Sequence, residues 1–87
     1  MRAAAKLAKP EWAHRIEKLR NRLGLSQTEL ARKLNVSAMA ISRWERGVNE
    51  PSASCYIHLG KLAGANECWY FWERAGLAKA DVRRMLE

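Results

Sequence analysis

The feature that most restricts the fold is a pair of short helix signals separated by only three residues. Ser26 followed three residues later by Glu29 is a capping box, in which the two side chains bond free backbone N–H groups at the start of a helix. Apolar periodicity indicates that this helix runs to about Leu34. Asn35 tolerates a left-handed backbone, and Ser37 can cap a second helix directly afterwards. The spacing predicts two short helices joined by a sharp turn.

The remaining periodic signals are helical as well. An apolar stripe over residues 12–23 ends at Gly24, and Gly47 can end the second helix of the pair. Two more helices are expected over residues 52–63 and 66–75, and a last turn near residues 82–86. We therefore predict an all-α protein, a compact bundle of five helices, or six if the last turn forms one. Its second and third helices make a helix-turn-helix.

Positive charge is concentrated in the first half of the sequence. The formal net charge is +7, and residues 1–48 hold eleven bases against four acids, whereas the rest balances five against five. A basic half joined to a neutral half indicates one face that binds a polyanion and another for packing or a partner. An ordinary solvated surface is the alternative that charge alone leaves open.

Several function classes lack their sequence features. No apolar run approaches the roughly 20 residues that cross a bilayer, and the start lacks the apolar stretch of a secretory signal, so we expect a cytoplasmic location. Cys55 and Cys68 are too few for a disulfide framework, and with His14 and His58 they match no metal-site spacing. No nucleophile and base pair, carboxylate pair or phosphate-binding glycine loop is visible. We expect no metal, no cofactor and no enzymatic activity.

The predicted helix-turn-helix has the dimensions of an element that reads DNA. The major groove is about 12 Å wide and admits one α-helix. The first helix of the pair would direct its N-terminal amides and Gln27 at phosphate oxygens, because unpaired amides and the helix dipole favour anions there. On the second helix, Ile41 and Trp44 point inward, which leaves its polar and basic residues for the bases.

Three stretches of the sequence carry a recognisable pattern. They are Leu25-Ser26-Gln27-Thr28-Glu29-Leu30-Ala31, Ile41-Ser42-Arg43-Trp44-Glu45-Arg46-Gly47, and Pro51-Ser52. Together they resemble the Xre/Cro family of helix-turn-helix transcriptional regulators, which includes the lambdoid phage repressors. The resemblance covers about residues 12–64, with Asn35 where the family most often has Gly. It implies a lambda-repressor-like fold and a bacterial or phage-encoded regulator, associated with the nucleoid when bound to DNA.

The resemblance also implies roles for individual residues. The positions that face base edges in the family are Ala38, Met39, Ser42 and Arg43. The positions that contact backbone phosphates are Gln27, Ser37 and Arg46. A structural ion pair that ties the first helix to the recognition helix corresponds to Arg20 and Glu45.

Arg43 is the residue that we expect to contribute most to sequence preference. A guanidinium donates two hydrogen bonds to guanine O6 and N7, whereas Ala38 and Met39 are suited to contact a thymine methyl group. For Arg43 and Arg46 the alternative is a pair of plain solvated charges. For Met39 it is an exposed side chain without any directional contact.

Four consecutive aromatic residues, 69–72, lie in the charge-neutral half. Four neighbours face all sides of a helix, so one small core does not easily bury them all. One interpretation makes Trp69, Phe71 and Trp72 an interface for a second copy or another protein. The other places Trp69 and Trp72 over the core and leaves Tyr70 and Phe71 partly exposed. Stacking on nucleic-acid bases is disfavoured because the segment is not basic.

We expect the chain to have three segments and to function as a homodimer. The segments are a basic, flexible arm over 1–10, a DNA-binding core over 11–64, and an aromatic helical extension over 65–87 that packs on the core or mediates dimerisation. Arg2, Lys6 and Lys9 of the arm either add phosphate or minor-groove contacts or take no part. The expected function is sequence-specific binding of double-stranded DNA at a pseudo-palindromic operator, with the third helix in the major groove. The alternative is an antitoxin-like module that binds a protein partner through its C-terminal segment and regulates its own synthesis.

Overall fold

The computed structural model describes residues 8–86, and within them the chain forms six α-helices and no strand. The helices are α1 (Glu11–Arg22), α2 (Gln27–Leu34), α3 (Ala38–Glu45), α4 (Ala53–Ala63), α5 (Cys68–Arg74) and α6 (Lys79–Leu86). The predicted all-α class is confirmed, and the last turn forms a sixth helix. Arg2 and Lys6 of the expected arm lie outside the described residues.

Contacts divide the chain into two units, with the boundary between Glu50 and Pro51. The first unit contains α1, α2 and α3, and the second contains α4, α5 and α6. The functional segments that the sequence suggests, with limits at residues 10 and 64, stay a prediction.

In the first unit, α1 buries one apolar stripe. Its buried residues Ala13, Ile16 and Leu19 recur every three residues, and α1 packs against α3. Two ion pairs lie on more exposed parts of this region, Glu11 with Arg15 at 2.8 Å and Lys9 with Glu17 at 3.0 Å. Exposed ion pairs of this kind add little stability, so the apolar stripe holds α1 in place.

The turn between α2 and α3 forms as the sequence predicts. Oγ of Ser26 accepts the backbone N–H of Glu29 at 3.0 Å, and Oε1 of Glu29 accepts the backbone N–H of Ser26 at 2.8 Å. Asn35 ends α2 with φ 58° and ψ 45°, in the left-handed region. Oγ of Ser37 then caps α3 by accepting the N–H of Ala40 at 3.0 Å. Local hydrogen bonds therefore determine where α2 begins and where α3 follows it.

In the second unit, α4 packs against α5 where a glycine meets a tryptophan. Nε1 of Trp72 donates a hydrogen bond to the backbone carbonyl of Ile57 at 3.0 Å. A β-carbon at Gly60 would overlap the indole ring of Trp72. Tyr56 and Phe71 stack in the interior of the unit, with ring centroids 6.3 Å apart. Gly60 is therefore the residue that lets the indole lie directly against α4.

The aromatic run is divided between the interior and the surface. The interpretation that left Phe71 partly exposed is wrong, because only 2% of this residue is exposed. Phe71 shares the buried face of α5 with Cys68, three residues earlier, which is the helical spacing of one face. Trp69, Tyr70 and Trp72 are half-buried. Of the three residues expected at an interface, Trp69 and Trp72 keep exposed surface and Phe71 packs inside.

Candidate nucleic-acid interface

One face of α3 is buried, and the opposite face carries a row of side chains that we call the outward stripe. The buried residues of α3 are Ile41, Trp44 and Glu45. The outward stripe has the helical spacing i, i+3, i+4 and i+7, and consists of Met39, Ser42, Arg43 and Arg46. Ser42 is half-buried and the other three are exposed, Met39 by 56%. Ala38 is half-buried to one side. The structure thus brings most of the residues expected to face DNA onto one surface.

The outward stripe combines three kinds of contact group. Nε of Arg46 donates to Oγ of Ser42 at 3.2 Å, which leaves the Ser42 hydroxyl proton and the terminal nitrogens of Arg46 to donate elsewhere. Arg43 offers a second planar cation, and Met39 offers an apolar thioether. Guanidinium groups suit guanine edges and phosphates, and apolar groups suit thymine methyls.

A buried hydrogen-bond network, which we call the Glu45 network, joins α3 to α1 and α2. The carboxylate of Glu45 accepts Nε and Nη2 of Arg20 at 2.6 Å and 3.0 Å, and Nε2 of Gln27 at 3.0 Å. Nη1 of Arg20 also donates to the carbonyl oxygen of Leu25 at 2.9 Å. The hydrogen bond with Glu45 raises the pKa of Arg20. The ion pair that the resemblance implied is present, and the network connects all three helices of the first unit.

Gln27 belongs to the Glu45 network. The sequence pattern did not predict its hydrogen bond with Glu45. Its separation of 18 residues from Glu45 follows no local spacing rule, and packing of α2 against α3 brings the two together. One N–H of Nε2 is bound to Glu45, and the other remains to donate. The expected phosphate contact by Gln27 therefore has a donor left to make it.

Two further features stand at the ends of α3. Ser37 is exposed at the N-terminal end, and its hydroxyl proton can still be donated because its oxygen is the acceptor in the cap. At the other end, Gly47 has φ 76°, and a β-carbon there would lie 2.6 Å from Cδ of Pro10. Val48 follows and is 58% exposed. Sequence reasoning missed Val48 as an exposed apolar residue, because an isolated valine after a helix gives no periodic signal.

Bases outnumber acids in residues 8–48, and the four acids of this stretch are held in hydrogen bonds. Residues 8–48 contain nine bases and four acids, an excess of five. The acids bond as follows: Glu11 with Arg15, Glu17 with Lys9, Glu29 with Ser26, and Glu45 with Arg20. Lys9 bonds Glu17 within the unit at 3.0 Å, and this hydrogen bond lowers the pKa of Glu17. Arg43 and Arg46 place part of the excess on the outward stripe.

The described residues show no alternative chemical centre. Cys55 and Cys68 are free, and no group of three or more His, Cys, Asp or Glu side chains in residues 8–86 is arranged to hold a metal ion. None of the helices in this part of the chain has both the length and the apolar character needed to span a membrane. The outward stripe is therefore the feature from which a function can be argued.

Comparison with known protein families gives a match that covers part of the chain. Residues 16–54 fit the model of a family described as helix-turn-helix. The matched stretch contains all of α2 and α3, and with them the whole outward stripe and the whole Glu45 network. No curated protein and no solved structure matches the chain significantly. The family match and the candidate surface thus fall on the same residues.

Proposed function

We propose that this chain is a helix-turn-helix regulator of the Xre/Cro type that recognises a specific operator sequence through α3. Its residues 16–54, which contain α2 and α3, match a family described as helix-turn-helix. The family is one of DNA-binding domains and not of enzymes. In the proposed complex, α3 lies in the major groove, and occupancy of the operator represses or otherwise controls transcription from it.

The observation that supports this proposal most is the outward stripe on a helix of the right size. An α-helix with its side chains is about 10–12 Å across, which is close to the width of the major groove. α3 has eight residues and buries Ile41, Trp44 and Glu45 on the face away from the stripe. A helix held this firmly from behind can present its exposed residues in a fixed orientation, which specific readout requires.

We assign the reading of bases to Ala38, Met39, Ser42 and Arg43. Arg43 is exposed and can donate two parallel hydrogen bonds to a guanine. Met39 supplies apolar contact for a thymine methyl, and the free hydroxyl proton of Ser42 can meet a base acceptor. These contacts provide preference for one sequence over another.

We assign contacts with backbone phosphates to Gln27, Ser37 and Arg46. Gln27 and Ser37 stand at the N-terminal ends of α2 and α3, where the helix dipole favours a negative charge. The cation of Arg46 lies at the C-terminal end of α3. Phosphate contacts fix the register of the helix on the duplex and add affinity without sequence preference.

We further propose that two copies bind together on a pseudo-palindromic site. Dimeric helix-turn-helix proteins set two recognition helices about 34 Å apart, one turn of the duplex. The half-buried Trp69 in the second unit is the candidate contact between copies, since aromatic residues are enriched in the cores of interfaces. The protein would act in the cytoplasm of a bacterium, on the nucleoid or on phage DNA.

An antitoxin-like role is the second candidate, and the same half-buried aromatic residues favour it. Trp69 lies edge-to-face on Trp72 with ring centroids 5.0 Å apart, and the ammonium of Lys79 is 5.8 Å from the Trp69 ring centroid. A second protein could bind this surface while α3 binds DNA. Co-purification of a second protein from the native host, dependent on Trp69, distinguishes this role from homodimerisation.

Selection from a random duplex library at a stated salt concentration tests the proposed function. We expect enrichment of one pseudo-palindromic motif, with half-sites about one turn apart, because two fixed recognition helices impose that spacing. Salt must be controlled because phosphate-driven affinity falls steeply as it rises. A selected pool that shows no preferred sequence at any salt concentration would contradict specific recognition.

A further inference from the structure

Glu45 is a buried carboxylate that receives three hydrogen bonds from two other helices. Two come from Arg20 on α1, and the third comes from Nε2 of Gln27 at 3.0 Å. Only 4% of Glu45 is exposed, so water does not compete strongly for these bonds. The carboxylate therefore holds Arg20 through two charge-assisted hydrogen bonds and Gln27 through one.

The hydrogen bond with Glu45 determines which end of the Gln27 amide faces the carboxylate. A glutamine amide carries an accepting oxygen on one side and a donating NH₂ group on the other, and the two are nearly equal in shape. A carboxylate only accepts, so the nitrogen must face Glu45. Reversing the amide would bring its oxygen against the carboxylate and leave that oxygen to face an approaching phosphate.

Building on the proposed function, we propose that Glu45 is a positioning residue for DNA binding, which orients the Gln27 amide so that its second N–H donates to a backbone phosphate. Glu45 does not touch DNA in this arrangement, because it is buried on the inner face of α3. Arg20 balances its charge, and Nη1 of Arg20 anchors the backbone just before α2 at Leu25. Gln27 and the start of α2 are thus oriented together.

The direction in which Glu45→Gln changes the affinity for DNA distinguishes an orienting role of Glu45 from a general effect of its charge. Replacing Glu45 with glutamine raises the net charge by one, which by itself tightens binding to a polyanion. Loss of the oriented amide weakens binding instead. Glu17→Gln is the matched control, because it makes the same charge change at a residue of α1 whose carboxylate bonds Lys9 and not Gln27.

The experiment titrates the selected operator duplex with Glu45→Gln, Gln27→Ala, the double variant and Glu17→Gln at one salt concentration. We expect Glu45→Gln and Gln27→Ala each to weaken binding about five- to tenfold, as loss of one hydrogen bond does, and Glu17→Gln to bind as well as wild type or better. In the Gln27→Ala background, Glu45→Gln should cost little more, since the amide it orients is gone. A merely structural role for Glu45 would cost the same in both backgrounds, and that result would overturn the proposal.

A measurement on the wild-type protein covers the case in which Glu45→Gln does not fold. In nuclear magnetic resonance spectra, we expect one Nε2 proton of Gln27 to exchange slowly in the free protein, and the other to shift when the duplex is added. Two protons that both exchange like those of a free glutamine would overturn the proposal. Wild-type protein that binds no duplex would overturn the proposed function itself, a result distinct from binding that ignores Glu45.

Discussion

At the scale of single residues, Arg43 and Arg46 differ in what their loss should change. We expect Arg43→Ala to cost about 1–3 kcal/mol on the best site and to relax preference at one base position, because a bidentate contact to guanine is lost. Arg46→Ala removes the same charge from the same stripe, and should weaken binding to all duplexes alike. It should also reduce by about one the slope of log affinity against log salt concentration. Selection and titration of both variants measure these effects. An unchanged motif for Arg43→Ala would remove its role in readout.

Gly60 gives a residue-scale prediction about stability. Within an ordinary helix, Gly→Ala stabilises by up to about 1 kcal/mol. At Gly60 the added β-carbon would overlap the Trp72 indole, so we expect Gly60→Ala to destabilise the protein by about 1–3 kcal/mol instead. Lys61→Ala, at the next and exposed position of α4, is the control and should be nearly neutral. Chemical denaturation measures both, and a gain in stability for Gly60→Ala would contradict the observed packing.

At the scale of elements, the capping box of α2 makes stability depend on pH. The backbone hydrogen bond with Ser26 lowers the pKa of Glu29. A carboxyl group with a lowered folded pKa stabilises the fold above its unfolded pKa, and this contribution is lost as the pH falls through the folded value. We therefore expect wild type to be more stable than Glu29→Gln at neutral pH and to lose that advantage as the pH falls through the lowered folded pKa of Glu29.

Two measurements check the role of the capping box. Unfolding free energies of wild type and Glu29→Gln, measured at neutral pH and in acid, give the difference directly, and an equal difference under both conditions would contradict the assignment. Ser26→Ala removes the hydroxyl half of the box and should cost about 0.5–2 kcal/mol. It should also raise the titration midpoint of the Glu29 side chain, because a hydrogen bond that favours its ionised form is weakened.

The elements that the sequence predicted are those whose ends are determined locally. Ser26, Asn35 and Ser37 act on backbone groups within a few residues, so their roles follow from spacing alone. The bond from Gln27 to Glu45 spans 18 residues and depends on how two helices pack, which no spacing rule contains. The burial of Phe71 depends in the same way on which face of α5 meets α4. Local chemistry therefore predicted the helices and the outward stripe, and packing supplied what holds the stripe in place.

At the scale of the whole molecule, the two units differ in net charge and therefore in the kind of surface that each can bind. The first unit, with eleven bases and five acids, has a net charge of +6, and the second, with five bases and four acids, has a net charge of +1. Two strongly basic surfaces repel each other, whereas two nearly neutral surfaces with exposed aromatic area meet at little electrostatic cost. For the proposed homodimer we therefore expect the contact between copies to lie on the second unit.

Trp69 is the residue that tests this arrangement. Trp72 is a poor choice because its indole bonds Ile57 and fills the space at Gly60, so its loss would disturb the fold. We expect Trp69→Ala to raise the dimer dissociation constant by about tenfold or more, as loss of a buried aromatic anchor does, and to reduce affinity for a full operator more than for one half-site. His58→Ala, at an exposed position of α4, is the control. Sedimentation over a dilution series measures the association, and identical curves for wild type and Trp69→Ala would exclude Trp69 from the dimer contact.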